Sequence, residues 1–487
     1  MTANLRTLTR ENREVPCNDI VFGEAIGTAP RRLGRMSLSR EAALSGKIQF
    51  VCLFVLLGLL SLATQPGFAQ SPLNFGNNFF VTGDYIVAGA YNMNQNFTTI
   101  NGVTYAVGTI NVPDKNPNGV ANPGITGATS VPPGAQIVAA LLYWQTVEKV
   151  GVKPGAPGSG QNGFIRPLNG GPAAPGYAIS GTNVSASTTV SWSSGGCTGG
   201  SNGKLLRTYR ADVAGGLPVD ANGNSIANGS FEVRLPSVGN ATPLTLGATL
   251  VVIYRILSGA GGPNIPLNSI VIYDGDYAQS NVQLTMTQPL QGFYDAAHNP
   301  VSRLTHIVGN GKSNKFQTVY LSSGTNSFVA LPFLYGNKLP AFPGWYGTWD
   351  NPTWTFNNAS TTNPGILEDA SSATTQVVPS ISNQGCVSWG AVIVSTTVKD
   401  SDNDAILDSW KKDHRGPGYC DAAFNNGACS GPGDPAWIDL TGAATGQQDV
   451  FLQYDYMCSQ VTAPNSCDIS TRNDSLSSAA AASGASA

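Results

Sequence analysis

Residues 247–257 read GATLVVIYRIL, and residues 386–398 read CVSWGAVIVSTTV. Both runs are short and rich in Val, Ile, Thr and Tyr. β-Branched and aromatic side chains fit a pleated backbone better than a helix, so both are predicted to be strands. Their inner parts, LVVIYRIL and AVIVSTTV, are almost wholly apolar. They are expected to be central strands, buried on both faces or along one edge of an inter-sheet core.

The same pattern extends outward from these two. Strand-length apolar or alternating runs stand at FFVTGDYIVAGAY (79–91), GVTYAVGTINV (102–112), AQIVAALLYWQTV (135–147), SFEVRLP (230–236), NSIVIYDG (268–275) and KFQTVYLS (315–322). Gly, Pro and Asn clusters separate them, and no comparable stretch carries a long helical period. The fold class is therefore mainly β: an antiparallel β-sandwich or jelly-roll region over residues 70–398. That is long for one sandwich and admits two sheet units, though no internal repeat marks a boundary. GVKPGAPGSGQNG (151–163) and VDANGNSIANG (219–229) are predicted as surface loops.

The chain has 487 residues with 57 Gly, 31 Pro, 11% charged and 41% hydrophobic residues. Low charge with abundant Gly, Asn, Ser and Thr suits an extracellular β-rich protein rather than a charged disordered chain. Residues 50–63, FVCLFVLLGLLSLA, form an apolar run that is short for a bilayer span and suits a secretory signal, with cleavage expected after Ala69. A membrane anchor is the alternative. Residues 1–69 are read as a leader, with Met36 as a candidate start. After cleavage, no membrane span is expected. The leader is net basic, so the remainder is more acidic than the whole chain at −3. This balance argues against nucleic-acid partners.

Six cysteines follow the leader: Cys197, Cys386, Cys420, Cys429, Cys458 and Cys467. An even number in an exported chain implies disulfides. Cys420/Cys429 and Cys458/Cys467 are close enough in sequence to close local loops, which would leave Cys197 with Cys386. Zinc is not expected: there is no C-x-x-C, and the histidines are His298, His306 and His414.

After Val398 the composition changes. KDSDNDAILDSWK (399–411) opens a segment, residues 399–467, that continues with a short helical candidate, AILDSWKKD, and one strand, DVFLQYDYM (449–457). The tail, residues 468–487, is low in complexity and expected to be disordered. In the acidic stretch Asp400, Asp402 and Asp404 alternate, and Asp408 follows. Capping the helix would use one or two of these carboxylates. Three at alternate positions can curl around a hard cation, joined by the Ile406 carbonyl and by Asp408. Without a cation they would repel one another. Calcium takes six to eight oxygens at about 2.3–2.6 Å and is the cofactor expected here, at weak extracellular affinity of about 10⁻⁴–10⁻³ M.

DSDNDAILDSW resembles the aspartate-rich calcium loop of thrombospondin type 3 repeats, and the related loops of dockerins and EF-hands. Two departures stand out. Ala405 holds the position usually given to Gly, and Lys411 replaces the bidentate glutamate of EF-hands. Both lower the affinity that the resemblance implies. The runs NNFFVTGDYIVAGA, IVAALLYWQTVE, LGATLVVIYRIL, PLNSIVIYDGDY and GCVSWGAVIVSTTV resemble β-rich ectodomains of bacterial secreted or surface proteins. QQDVFLQYDYMCS resembles a strand that, in such proteins, follows the calcium loop and leads into a metalloprotease-like domain. That domain would imply an HExxH helix, which this sequence does not contain.

Other candidates are weaker. GWYGTWDNPTWTF (344–356) sets Trp345, Tyr346, Trp349 and Trp354 in a Gly/Pro-rich context, where exposed rings would stack on sugars and buried ones would cover a core. YDGDY (273–277) places Asp274 and Asp276 either at a minor cation site or in a turn, with the turn favoured. His298 and His306 lie in loop-like sequence without an obvious partner. No catalytic residue set is assigned. The reading is an exported calcium-binding structural or adhesive protein, secreted or at the cell surface, with an extracellular protein or glycan as partner. A secreted hydrolase, a truncated metalloprotease-like remnant or a carbohydrate-binding module are the alternatives.

Overall fold

In the computed structural model of the chain, the described residues are 6–7, 73–90, 93, 96–115, 121–122, 124–185, 190–191, 203–239, 241–257, 265–278, 285–309, 317–324, 327–331, 349–357, 359, 363–379, 387–420, 429–434, 437–447, 451–452, 461–463 and 466–467. The chain divides into two units. One is Ser71–Asp449; the other joins Met1–Gln70 to Val450–Ala487. In the second unit the described pieces are short: Arg6–Thr7 runs parallel to Phe451–Leu452, and Val461–Ala463 antiparallel to Ser466–Cys467. The apolar run at 50–63, most of the 449–457 strand candidate and the tail lie outside the described residues.

The larger unit is mainly β, and its four principal sheets pair antiparallel throughout. The first sheet has the order Asn96–Ile100, Val103–Val112, Gly229–Pro236, Asn162–Pro167, Tyr177–Ser180. The second is Val190–Ser191, Lys204–Asp212, Gln136–Lys149, Leu244–Arg255, Gly83–Ala90. The third is Trp349–Asp350, Ser302–Gly309, Ser388–Thr397, Asn268–Ala278, Asn74–Val81, with Thr353–Phe356 also on Ser302–Gly309. The fourth is Met286–Gln291, Ser372–Pro379, Gln317–Ser323, Val329–Ala330.

Period-two alternation explains how the sheets stack. In Leu244–Arg255, Leu250 and Val252 enter one core with Ile110, Phe231 and Val233 of the first sheet. Val251 and Ile253 enter another core with Ile270, Ile272 and Ile393 of the third sheet. Gln136–Lys149 divides in the same way, with Leu142 and Trp144 on one side and Leu141 and Tyr143 on the other. The second sheet is therefore apolar on both faces, as its unbroken runs predicted. The third sheet is covered twice as well. Its alternate residues Val271, Leu304, Val392 and Val394 are buried, and His306 from that face reaches Thr375 of the fourth sheet at 3.2 Å.

Two predicted features differ in detail. The run at 79–91 is not one strand. Asn74–Val81 joins the third sheet through Asn268–Ala278, whereas Gly83–Ala90 joins the second through Leu244–Arg255. A side chain at Gly83 would bring Cβ within 2.1 Å of the Tyr254 carbonyl, so only glycine fits where the chain changes layer. The helix expected over residues 405–413 is the single turn Asp408–Lys411.

Candidate functional site

The acidic loop leaves the third sheet after Ser388–Thr397 and is folded by its own carboxylates. Asp400 accepts the backbone N–H groups of Asp404 at 3.2 Å and Ala405 at 3.0 Å. Asp404 Oδ1 accepts the Ile406 N–H at 2.9 Å. Asp408 accepts both the N–H and the hydroxyl of Ser401 at 3.0 Å, while its own N–H donates to the Lys399 carbonyl at 3.0 Å. Such short-range bonds from Asp side chains stabilise tight turns. The curl puts Asn403 and Ala405 at φ of 56° and 66°, the left-handed region that Ala adopts at a cost.

Carboxylate oxygens of Asp400, Asp402 and Asp404 lie within 4.8 Å of one another. Asp408 is engaged instead with Ser401, and its Oδ2 is 3.8 Å from Lys412 Nζ. Lys411 Nζ donates to Asp402 at 2.9 and 2.8 Å and to Asp404 at 2.7 Å. These side chains are 0%, 4% and 3% exposed for Lys411, Asp402 and Asp404. Burial opposes charge on Asp402, but the bonds from Lys411 outweigh it and hold that carboxyl below its ordinary range. Burial likewise opposes charge on Lys411, and the two carboxylates more than offset it. Asp400 is pushed upward by burial. Asp402 Oδ2 also accepts the Gly446 N–H at 2.9 Å, so the loop holds a segment over forty residues downstream.

The fit to calcium is partial. Three of the five expected ligand residues converge, and Asp408 is turned toward Ser401. The ammonium of Lys411 stands against the two carboxylates that an ion would need, so a divalent cation must displace it.

An aromatic group fixes the exit from the loop. Trp410 meets Phe80 edge-on at 5.0 Å and Tyr294 at 5.4 Å, and stacks on Tyr419 at 3.9 Å. Cys420 and Cys429 form a disulfide, closing the first of the two local loops expected. Arg415 lies over the Trp437 ring at 4.7 Å and donates to the Cys429 carbonyl at 2.9 Å. Cys197, Cys386 and Cys458 lie outside the described residues, and Cys467 is described only as strand backbone.

The tryptophan stretch does not form a sugar platform from its described members. Trp349 is 1% and Trp354 4% exposed. Trp349 fills the core between the second and third sheets and donates to Thr249 Oγ1 at 2.8 Å, while Trp354 sits edge-on to His306. Trp345 and Tyr346 lie outside the described residues. His306 is not in a loop. It lies in the strand Ser302–Gly309, accepts from Trp389 Nε1 at 3.1 Å and reaches Thr375 at 3.2 Å. Burial lowers its pKa to about 3, so the ring is neutral. His298 is exposed and 2.8 Å from Glu368. Asp274 and Asp276 are in neither a turn nor an open site: both are buried in the strand Asn268–Ala278. Asp274 accepts the Tyr143 hydroxyl at 3.0 Å and pairs with Arg210.

Sequence reading missed a second buried carboxylate of this kind. Glu148 accepts Thr146 Oγ1 at 2.8 Å, the Gly160 N–H at 2.8 Å and the Tyr209 hydroxyl at 2.7 Å, and it pairs with Arg207. Its partners come from separate parts of the chain, so no local spacing announces it. The signal that was present is the alternation of Arg207 and Tyr209 on one strand beside Thr146 and Glu148 on the strand Gln136–Lys149.

No protein-family model matches the chain, and no curated protein matches it. Among the described residues no helix is long and apolar enough to cross a membrane.

Proposed function

We propose that the chain is an exported structural or adhesive protein of the extracellular space or cell surface, with no catalytic activity of its own. The observation that supports this best is the use of its polar side chains. Glu148 and Asp274 tie strands together, and the acidic loop fastens the Gly446 segment to the sheet stack. Groups held this tightly by donors are suited to stiffness rather than proton transfer. The partner class is an extracellular protein or a glycan.

The surface role does not require a metal in the acidic loop; were a divalent ion to displace Lys411, calcium is the one whose oxygen chemistry would suit Asp400, Asp402, Asp404, the Ile406 carbonyl and Asp408.

The test is to locate the tagged chain by cell fractionation and then probe the purified protein on arrays of extracellular proteins and glycans. The proposal expects it outside the cytoplasm and retained on one class of target. Cytoplasmic retention, or turnover of any peptide or glycan in the same panel, would sink it.

A further inference from the structure

We propose that Lys411 is itself the cation of the acidic loop, a tethered ammonium that lets the turn close without metal. The loop must accommodate its own negative charge. Asp400, Asp402 and Asp404 bring their oxygens within 4.8 Å of one another, and three like charges so close disfavour the folded loop unless something positive stands among them. Asp400 is occupied by two backbone N–H groups and Asp408 by Ser401. Asp402 accepts the Gly446 N–H and Asp404 the Ile406 N–H, and both also turn oxygens to Lys411.

Lys411 answers that arrangement by geometry. Its ammonium donates to Asp402 Oδ1 at 2.9 Å, Asp402 Oδ2 at 2.8 Å and Asp404 Oδ2 at 2.7 Å. The side chain is 0% exposed, so its charge is not shared with bulk water. It arrives from the last residue of the turn Asp408–Lys411, the point in the chain where an EF-hand would close its cage with a carboxylate. A carboxylate there adds a ligand for an ion; a lysine there supplies the ion's charge. Lys411 is not merely a lost ligand, and its presence changes what the aspartate spacing means.

The consequence is a fastening insensitive to the surrounding calcium concentration. Asp402 holds Lys411 and the Gly446 N–H together, so the loop and the downstream segment remain joined in a chelating medium. This inference does not depend on the surface role proposed above.

The experiment is thermal melting of the full chain in millimolar calcium and in chelator, for the unmodified protein, Lys411→Met, Lys411→Arg, and Lys411→Met combined with Asp402→Asn and Asp404→Asn. The unmodified protein is expected to melt at one temperature in both media. Lys411→Met is expected to melt about 5 °C or more lower in chelator, because it leaves two buried carboxylates uncompensated. Neutralising those carboxylates in the triple variant is expected to recover much of the loss, which a packing role for the lysine stem would not produce. Lys411→Arg keeps the charge and is expected to stay calcium-insensitive. Should Lys411→Met fail to fold, folding of the triple variant supports the proposal and its failure overturns it. A chelator-induced fall in the unmodified protein overturns it in favour of a bound metal. Equal melting of Lys411→Met and the unmodified protein overturns it too.

Discussion

Trp410 stacks on Tyr419 with ring centroids 3.9 Å apart and planes 15° from parallel. Phe80 and Tyr294 meet the same indole edge-on, so one side chain joins the acidic loop, the disulfide segment and the edge of the third sheet. Trp410→Ala is expected to cost about 3–5 kcal/mol, the range for a buried tryptophan. Urea unfolding with hydrogen exchange would show the loss concentrated in residues 399–447. A loss below about 1 kcal/mol would count against this role.

Gly247 sits at a register shift in Leu244–Arg255, directly under Trp349. A Cβ there would stand 2.2 Å from Trp349 Cγ. Gly247→Ala is expected to destabilise by about 1–3 kcal/mol or more through overpacking. Chemical denaturation measures it, and an unchanged midpoint refutes the clash.

Glu148 gathers Tyr209, Thr146, Gly160 and Arg207. Glu148→Ala strands the Arg207 charge and is expected to cost about 3–5 kcal/mol. Combining it with Tyr209→Phe should cost less than the two single losses added, because the pair shares one bond. Strict additivity in the cycle would show that the network is not coupled.

The His306 imidazole ionises at about 3 when folded and 6.5 as a free side chain. Between those values the unfolded chain binds the extra proton. The contribution of His306 is therefore intact above pH 6.5 and is lost as the pH falls toward 3, at up to about 1.4 kcal/mol per unit. Denaturation midpoints across that range should fall with acid, and His306→Gln should flatten the dependence. An unchanged slope in the variant would falsify the assignment.

Ala405 has φ of 66°, a conformation that costs an L-residue about 1–2 kcal/mol and glycine almost nothing. Ala405→Gly should therefore raise loop stability by about 1 kcal/mol, less the added entropy of the unfolded chain. A fall in melting temperature would show that the methyl group makes a contact worth more than the strain.

Much of the fold was legible because the central strands are apolar throughout, and GATLVVIYRIL lies in the second sheet as its composition required. SRLTHIVG, the strand Ser302–Gly309, was not legible. Its Arg, Thr and His side chains read as loop, yet all eight residues are buried. Arg303 donates through a terminal nitrogen to the Tyr85 carbonyl, Thr305 meets the Tyr85 hydroxyl at 2.9 Å and His306 meets Trp389, so tertiary partners replace water for these groups. KLLRTYRAD at 204–212 was obscured in the same way by Arg207 and Arg210, whose carboxylates lie elsewhere in the chain. In the acidic loop the aspartates were visible as a cluster. The partner that gives them meaning, Lys411, was visible only as a departure from a pattern, because spacing alone does not say which way a lysine points.

The change of layer at Gly83 has a kinetic consequence. Val81 pairs with Asn268 and Gly83 with Arg255, while Asn268 pairs in turn with Thr397. The earliest strands of the unit thus wait for partners synthesised much later, and the third sheet cannot close until residue 397 has emerged. Such distant pairing makes closure slow. Until then the nascent chain stays open, its apolar strands exposed to proteolysis and aggregation.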